Sequence, residues 1–316
     1  MSRRIKVGTR ASKLARFQTE ILISYLSARD PGVSFETVLV TTSGDKVRDR
    51  PISEVGDVGV FVKELEEALI KEEVDIVSHS LKDLPTDLPP ALFLGCVLDR
   101  EDPRDIMVSS GNIKFKDLPA KATVATSSRR RTAQLSALRQ DLRFVDIRGN
   151  VPTRLKKHDE GQCDAIILAA AGLKRLGLID RVSEYLDVDV CVPAPGQGAL
   201  AAECRADDQM IVKLLASADN PDVRAEITAE REFLKALGGG CSVPIGALGR
   251  ISGDSLALTG CVAALDGSKI LKRQLSGRLV NPEEVGQRLA QLLIDSGAAT
   301  ILSQLRLSAP KAISPP

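Results

Sequence analysis

A short strand pattern passes directly into a helical one in the segment Ala122-Thr123-Val124-Ala125-Thr126-Ser127-Ser128-Arg129-Arg130-Arg131. Residues 122–126 predict the strand and residues 128–138 predict the helix. The same change of pattern recurs over residues 143–158, where a second strand is followed by a helix that begins at Val151. Repeated alternation of this kind predicts a mostly parallel sheet with helices on its faces.

The alternation also covers the N-terminal part of the chain. Strand-like runs and helical patterns follow one another at residues 4–8, 13–26, 35–41, 61–71, 75–79 and 93–98. Residues 99–104 and residues 192–198 interrupt the alternation and are typical of crossovers between units, the second because it is rich in proline and glycine. A chain that leaves one unit, builds a second and returns places a cleft between two α/β lobes, which is a usual place for a ligand.

From about Pro221 the pattern changes. Three strands follow one helix without intervening helices, and a further helix ends the segment. The expected bounds are a helix at 223–237, strands at 245–251, 256–264 and 270–279, and a final helix at 282–296. This order is typical of a small domain with an antiparallel sheet, in which residues 264–268 supply a hairpin turn.

The expected fold is therefore α/β, with two periplasmic-binding-protein-like lobes, a cleft between them, and a small third α+β domain with an antiparallel sheet. The two crossovers set the bounds of the lobes. Domain 1 is expected to comprise residues 1–98 and 199–216, domain 2 residues 104–192, and domain 3 residues 221–316.

Composition argues against several classes of function. The chain has 316 residues and a formal net charge of +1, aromatic residues make up 3% of it, and tryptophan is absent. We therefore expect it to bind neither nucleic acid nor membranes. It has two histidines and six cysteines, and no cysteines form a C-x-x-C pair, so a metal site is not expected. We find no pattern of a signal peptide or a membrane span, and we expect a reducing cytoplasm.

Arginines gather where the strands of the second unit end. Three of them follow Thr126-Ser127-Ser128, and Arg148-Gly149 lies at the next strand-to-helix turn, with Arg154 one turn into the helix. Helix N-termini and guanidinium groups both bind anions, so these turns predict a site for carboxylates or phosphates. The alternative is that surface arginines are simply solvated, which we favour for Arg139, Arg143 and Arg181.

Two other segments combine reactive side chains with special backbone needs. In Leu237-Gly238-Gly239-Gly240-Cys241-Ser242-Val243-Pro244, the glycines give room beside a cysteine. A thiolate that carries a bulky covalent group needs this setting, but a helix C-cap followed by a buried cysteine fits the segment equally well. In Ser78-His79-Ser80-Leu81-Lys82-Asp83, a buried strand ends on a lysine and a carboxylate. They could serve acid–base chemistry, but for this pair alone a solvated loop with a capping aspartate is preferred.

Together these segments resemble the porphobilinogen deaminase family, in order and over nearly the whole chain. Each motif is weak by itself, whereas the full set at the family's spacing is very specific. The matching segments are Gly8–Ala15, Phe61–Glu66, His79–Pro85, Arg100–Asp105, Thr126–Ser128, Arg148–Val151, Ala171–Leu176, Pro195–Gly198 and the glycine loop that contains Cys241.

The resemblance implies a reaction and a cofactor. Family members join four porphobilinogen molecules head to tail, with loss of ammonia from each, and water releases hydroxymethylbilane. Their dipyrromethane cofactor acts as a permanent primer, and the resemblance implies that a thioether to Cys241 would hold it. Each porphobilinogen brings an acetate and a propionate, so a growing chain accumulates carboxylates that need many arginines. The resemblance also implies a cytoplasmic monomer.

Residue roles are carried over from the matching positions. Asp83 matches the catalytic aspartate, and we expect it to hold pyrrole N–H groups and to assist protonation of the leaving amine. The expected cofactor-binding residues are Cys241, Lys82, Ser80, Thr126, Ser128, Arg130, Arg131, Arg148 and Gly149. The expected substrate-binding residues are Arg10, Ser12, Gln18, Arg148, Arg154 and Arg175.

The chain departs from the family pattern in two places. Many relatives have a Gly-Lys-Gly turn before the helix at residue 61, whereas this chain has Asp57-Val58-Gly59. Either another basic residue replaces the missing cation, or the cleft is gated differently. The candidate replacements are Lys46, Arg48 and Arg50. Arg129 stands where relatives often have an aliphatic residue, and we expect it to face solvent.

Other functions fit parts of the sequence. A two-lobed anion-binding protein without catalysis suits the crossovers and the arginines, but it has no use for Cys241 or the third domain. An α/β transferase with Cys241 as a transient nucleophile needs a histidine partner, for which the sequence offers His79 and His158. A nucleic-acid binder is the least supported, given the neutral charge.

Overall fold

The computed structural model describes residues 4–42, 62–239 and 243–308. In chain order its strands and α-helices are β1 (Arg4–Thr9), α1 (Lys13–Arg29), β2 (Ser34–Leu39), α2 (Lys63–Ile70), β3 (Ile76–Ser80), β4 (Leu92–Val97), β5 (Asp105–Ser109), β6 (Thr123–Ala125), α3 (Arg129–Leu138), β7 (Arg143–Val145), α4 (Val151–Asp159), β8 (Ala165–Ala169), α5 (Ala170–Arg175), β9 (Glu184–Leu186), β10 (Leu200–Arg205), α6 (Gln209–Ala216), α7 (Pro221–Ala236), β11 (Ile245–Ser252), β12 (Ser255–Ala263), β13 (Ile270–Arg278), α8 (Pro282–Leu293) and α9 (Ala299–Ser308).

The first lobe is built on a five-stranded sheet with the order β2-β1-β3-β10-β4. β1 is parallel to β2 and β3, whereas β10 is antiparallel to β3 and β4. Leu22 and Leu26 of α1 share a buried core with Ile5 and Ile76 of the sheet. Because β10 lies between β3 and β4, the first lobe is completed only when the chain returns from the second.

The second lobe repeats this arrangement in a sheet with the order β7-β6-β8-β5-β9. β6 is parallel to β7 and β8, and β5 is antiparallel to β8 and β9. Neighbouring residues of β8 enter different cores: Ile167 packs with Leu135 of α3, and Ile166 packs with Leu155 of α4. Since successive side chains of a strand point to opposite faces, the sheet has helices on both sides.

The third unit is an antiparallel sheet with the order β11-β12-β13. Phe233 of α7 and Leu289 of α8 are fully buried in one core with Leu258 of β12. The two helices therefore lie against this sheet, and α7 ends at Ala236, shortly before the glycine loop.

These observations confirm the expected fold class, with two α/β lobes and a small third domain that has an antiparallel sheet. The expectation of mostly parallel sheets is also confirmed, because four of the five strands in each five-stranded sheet of the described chain run in the same direction. The exceptions are β10 and β5, which are antiparallel to both of their neighbours. The reason is the path of the chain: β5 and β10 directly follow the crossovers and run against the strands beside them.

The remaining sequence expectations agree with these bounds to within a few residues. The helix expected at 61–71 corresponds to α2, and Phe61 lies outside the described residues. Across the described ranges, no helix combines the length and the apolar character that crossing a membrane requires.

Candidate active site

The turn after β3 presents the lysine and the carboxylate that the sequence places together. Residues Leu81–Asp83 form one turn of 3-10 helix, in which the Leu84 N–H donates to the Leu81 carbonyl at 3.1 Å. Leu81 is buried, whereas Asp83 is exposed. An apolar anchor in the first lobe thus holds the Asp83 carboxylate at the surface.

Lys82 connects this turn to the returning crossover. Its Nζ donates to Oε1 of Gln197 at 3.3 Å. Burial lowers the pKa of Lys82 to about 8, the neighbouring Asp83 opposes that shift, and Arg131 adds to it. The ammonium of Lys82 therefore loses half of its charge near pH 8, well below the ordinary lysine value of 10.5.

Arg130 and Arg131 lie in the first turn of α3 and are buried. Both bind Asp105: Arg130 Nη1 lies 2.7 Å from Oδ2, and Arg131 Nε lies 2.9 Å from Oδ1. Burial by itself would raise the pKa of Asp105, but the two arginines lower it well below its usual range. The two arginines are therefore not solvated surface groups, and they share an internal carboxylate.

The next strand-to-helix turn carries Arg148 and Arg154, which are both partly buried. Gly149 between them has φ = 114°, a left-handed conformation that favours glycine. Nε of Arg154 donates to the Gly149 carbonyl at 2.7 Å. Burial lowers the pKa of Arg154 to about 10, with Arg131 and Arg148 adding to the shift. Positive charge is thus concentrated around this turn.

The expected hydroxyl ligands also stabilise the local backbone. Ser12 caps α1 and accepts from the Ala15 N–H at 3.2 Å. Ser128 caps α3 and accepts from the Arg131 N–H at 3.4 Å, while the Thr126 hydroxyl accepts from the Ser128 N–H at 3.3 Å. These bonds satisfy N–H groups that a helix start leaves without intrahelical partners.

Two of the expected substrate residues bridge separate segments. Nε2 of Gln18 donates to the Ser80 hydroxyl at 2.7 Å, which joins α1 to the end of β3. Nη2 of Arg175 donates to the Gly198 carbonyl at 2.7 Å in the returning crossover, and burial lowers the pKa of this arginine. Arg10 is partly buried at the start of the loop that leads to α1.

Electrostatic interactions also act between the two lobes. Burial, Arg131 and Arg148 lower the pKa of Arg154 in the second lobe, and the charge of Asp83 in the first lobe opposes that shift. Because the cations disfavour one another, a ligand with several carboxylates would relieve their repulsion. The described side chains therefore fit a polycarboxylate such as a dipyrromethane that bears acetate and propionate groups.

The arginines outside this cluster behave in different ways. Arg139 is not simply solvated, because its guanidinium donates to the carbonyls of Phe115, Lys116 and Leu118 at 3.2, 2.8 and 2.8 Å. Arg143 is exposed, Arg129 is partly exposed, and Arg181 pairs with Asp159 at the surface.

Some expected positions lie outside the described residues. They are Cys241, Lys46, Arg48, Arg50 and the segment Asp57-Val58-Gly59. Of the two histidines, His79 is buried and its Nε2 lies 3.1 Å from Oε2 of Glu203 on β10, so it belongs to the interior of the first lobe.

Asp105 and Gln197 link the site together, although no sequence pattern assigns a role to either residue. Nε2 of Gln197 donates to Oδ1 of Asp105 at 2.9 Å, while its Oε1 accepts from Lys82. Gln197 lies in the second crossover and Asp105 directly follows the first, and these positions are the sequence feature that could have identified both residues. Polar residues at such positions are candidates for contacts between lobes.

Selective labelling of lysine amines tests the environment of Lys82. We expect its reactivity to rise with a midpoint near pH 8, below the ordinary lysine value of 10.5, because burial disfavours the ammonium form. The measurement is pulse acetylation over a range of pH, followed by peptide mass spectrometry. Lys174 is the control, because its ion pair with Glu101 at 2.7 Å raises its pKa. Equal midpoints for the two lysines would contradict the assignment.

Comparison with family models finds two matches that follow one another along the chain. Residues 5–213 match the model described as porphobilinogen deaminase, dipyromethane cofactor binding domain. Residues 224–295 match the model described as porphobilinogen deaminase, C-terminal domain. The first match spans both lobes, and the second spans α7 and the third sheet.

Curated relatives agree over nearly the full length. The chain is 48% identical over 302 residues to the porphobilinogen deaminase of Geobacter sulfurreducens, covering 96% of this chain and 95% of the relative. It is also 48% identical over 309 residues to the porphobilinogen deaminase of Desulforudis audaxviator, covering 98% and 100%. Among solved structures, the methionine-binding protein MetQ is 15% identical with a TM-score of 0.43, over 68% of this chain and 89% of that one.

Proposed function

The chain belongs to the porphobilinogen deaminase family and is a transferase of tetrapyrrole biosynthesis, and from this premise we propose how its own residues carry out the reaction. Four porphobilinogen molecules are joined head to tail with loss of ammonia, and hydroxymethylbilane is released. One observation carries the assignment of residues: the exposed Asp83 carboxylate follows Lys82 in the chain and interacts electrostatically with Lys82 and with Arg154 of the second lobe. An exposed carboxylate close to cations suits a cationic reaction centre on a substrate with several carboxylates.

Asp83 is the proposed catalytic group. Porphobilinogen loses ammonia to leave a cationic azafulvene, and a nearby carboxylate stabilises that charge. Asp83 also accepts hydrogen bonds from pyrrole N–H groups and assists protonation of the leaving amine. Its exposure on a turn anchored by Leu81 supports this role, because the carboxylate is accessible while the backbone beneath it is fixed.

The chain carries the family's dipyrromethane cofactor binding domain, and we assign the attachment by a thioether to Cys241. The residues that would hold the cofactor are Lys82, Ser80, Thr126, Ser128, Arg130, Arg131, Arg148 and Gly149. When bound, the dipyrromethane supplies the pyrrole carbon to which the first substrate unit is joined. The excess of positive charge in the second lobe supports this set, since carboxylates would compensate it.

The incoming porphobilinogen is assigned to residues of both lobes. The residues proposed to bind it are Arg10, Ser12, Gln18, Arg148, Arg154 and Arg175. The hydrogen bond between Gln18 and Ser80 supports this assignment, because it connects the α1 residues to the strand that leads to Asp83. As pH rises past about 8, Lys82 loses its proton, and its contribution to binding the cofactor carboxylates weakens accordingly.

We extend the proposal to the organisation of the molecule. The three-domain division at residues 1–98 with 199–216, 104–192 and 221–316 is supported by the three separate sheets. A cytoplasmic monomer that binds neither nucleic acid nor membranes is proposed from the family resemblance and the near-neutral charge.

Intact-protein mass spectrometry with peptide mapping around Cys241 tests the proposed function. We expect an excess equal to two linked pyrrole units on the peptide that contains Cys241, and none in the Cys241→Ser variant. An unmodified wild-type chain is then incubated with porphobilinogen, and gain of the adduct supports the assignment. Failure to gain it would favour an anion-binding protein without catalysis. Buried Cys191 serves as the matched cysteine, because its replacement by alanine should leave the adduct in place.

A further inference from the structure

Asp105 is a fully buried carboxylate at the start of β5, where the chain enters the second lobe. Its Oδ2 accepts from Nη1 of Arg130 at 2.7 Å. Its Oδ1 accepts from Nε of Arg131 and from Nε2 of Gln197, both at 2.9 Å. The thiol of Cys191 lies 3.4 Å from Oδ2. These four donors supply what a buried carboxylate needs in order to remain charged away from water.

The carboxylate determines how each guanidinium is turned. Nη1 of Arg130 is shared between Asp105 and the Val192 carbonyl, each at 2.7 Å. Arg131 binds Asp105 through Nε, and its Nη1 donates to the Ile167 carbonyl at 3.1 Å. Because a guanidinium is planar and rigid, two fixed directions determine the others. The remaining N–H directions of both arginines are thus set before any ligand carboxylate arrives.

Asp105 is also connected to the catalytic turn of the first lobe. Gln197 is 1% exposed, and its Nε2 donates both to Asp105 and to the Pro103 carbonyl at 2.7 Å, so the amide cannot turn freely. Its Oε1 accepts from Nζ of Lys82 at 3.3 Å. The charged groups that act on Lys82 are Asp83 beside it, Asp105 on β5, and Arg130 and Arg131 on α3.

We propose that Asp105 is a positioning residue for the cofactor-carboxylate site: it is the internal counter-ion that holds Arg130 and Arg131 in the orientation that receives the carboxylates of the ligand. This inference rests on the proposed function. Two guanidiniums on consecutive residues repel each other, and without a shared anion they separate. Asp105 acts through the arginines and does not contact the ligand itself.

The loading of cofactor into the full-length chain tests this role. Wild type and Asp105→Asn are produced without cofactor in a host that cannot make porphobilinogen, and gain of the adduct is followed by mass after porphobilinogen is added. We expect the folded variant to gain the adduct slower by about tenfold or more, because the arginines are misplaced. Before any ligand is added, the labelling midpoint of Lys82 should also fall below about 8, since Asp105 raises the pKa of Lys82.

A second variant separates position from charge. Asp105→Glu keeps the negative charge and moves it by one methylene, so slow loading of a folded Asp105→Glu chain supports the inference even if Asp105→Asn does not fold. Loading at the wild-type rate in a folded Asp105→Glu chain overturns it, because charge balance alone would then suffice. Loss of folding in both variants also overturns it and leaves Asp105 a purely structural role.

Two controls complete the experiment. Cys191→Ala removes the thiol that touches the same carboxylate and leaves both ion pairs intact, so its loading should match the wild type. Slow loading in this variant would attribute the effect to packing and overturn the inference. If the wild-type chain itself gains no adduct, the proposed function fails instead, and the two failures are thereby distinguished.

Discussion

Asp83→Asn is expected to lower turnover by about 10²–10⁴-fold while the chain folds and keeps its cofactor. The amide has the same size, but it carries no charge for the cationic reaction centre and cannot pass a proton to the leaving amine. Because Asp83 is exposed and stands on a turn anchored by buried Leu81, the substitution should leave stability within about 0.5 kcal/mol of the wild type. The measurements are the steady-state rate of porphobilinogen consumption, the melting temperature and the intact mass.

Asp87→Asn is the matched control for this prediction. Asp87 lies on the same loop, is exposed and pairs with Lys235 at 2.5 Å. Surface pairs of this kind contribute little, so turnover and stability should both stay near the wild type. Full turnover in Asp83→Asn, or an equal loss in both variants, would remove Asp83 from the reaction.

Glu230→Gln is expected to cost about 3–5 kcal/mol of stability, the penalty for leaving a buried charge without its partner. Glu230 on α7 is fully buried and accepts from two nitrogens of Arg100, at 2.6 and 3.1 Å. It also accepts from the backbone N–H groups of Gly196 at 2.7 Å and Gly249 at 2.8 Å. These donors come from the two crossovers and from β11, so one carboxylate connects both lobes to the third unit.

The loss should appear as a fall in melting temperature of about 10 °C, given the size of the chain. Glu226→Gln is the matched control, since Glu226 receives one bond from Arg100 at 3.2 Å and is less buried. Burial raises the pKa of Glu226, so this carboxylate is already costly to ionise. Its replacement by an amide should therefore lower the melting temperature less than Glu230→Gln does. A melting temperature that falls equally in both variants, or in neither, would contradict the central place of Glu230.

Much of the site can be located from the sequence because helix starts are local features. Ser12 and Ser128 cap helices that the periodicity predicts, and the cap residue fixes which side chains lie in the first turn. Arg130 and Arg131 are therefore placed at the end of a strand before any tertiary contact is known. The turn that carries Lys82 and Asp83 is predictable for the same reason, because it directly follows a buried strand.

The hydrogen-bond and ion-pair partners of these side chains cannot be predicted from the sequence. From the sequence, Arg130 and Arg131 are expected to bind a ligand, whereas in the folded chain they share the carboxylate of Asp105. Replacing either arginine would therefore leave the buried Asp105 carboxylate without one of its partners, in addition to removing a ligand contact. Arg139 shows the same limit, because the carbonyls that it binds come from a segment more than twenty residues earlier in the chain.

The alternation of strands and helices, the capped turns that carry the arginines, and the antiparallel third sheet are predictable from sequence, because each depends on residues within a few positions of one another. The antiparallel directions of β5 and β10, and the hydrogen bonds that connect Asp105, Gln197 and Lys82, become visible only in the folded chain. Strand order and buried polar contacts depend on residues far apart in the chain: Lys82 and Gln197 are 115 positions apart, and Arg100 and Glu230 are 130 positions apart. Such polar groups must find partners because the fold buries them together, and no local sequence pattern encodes that burial.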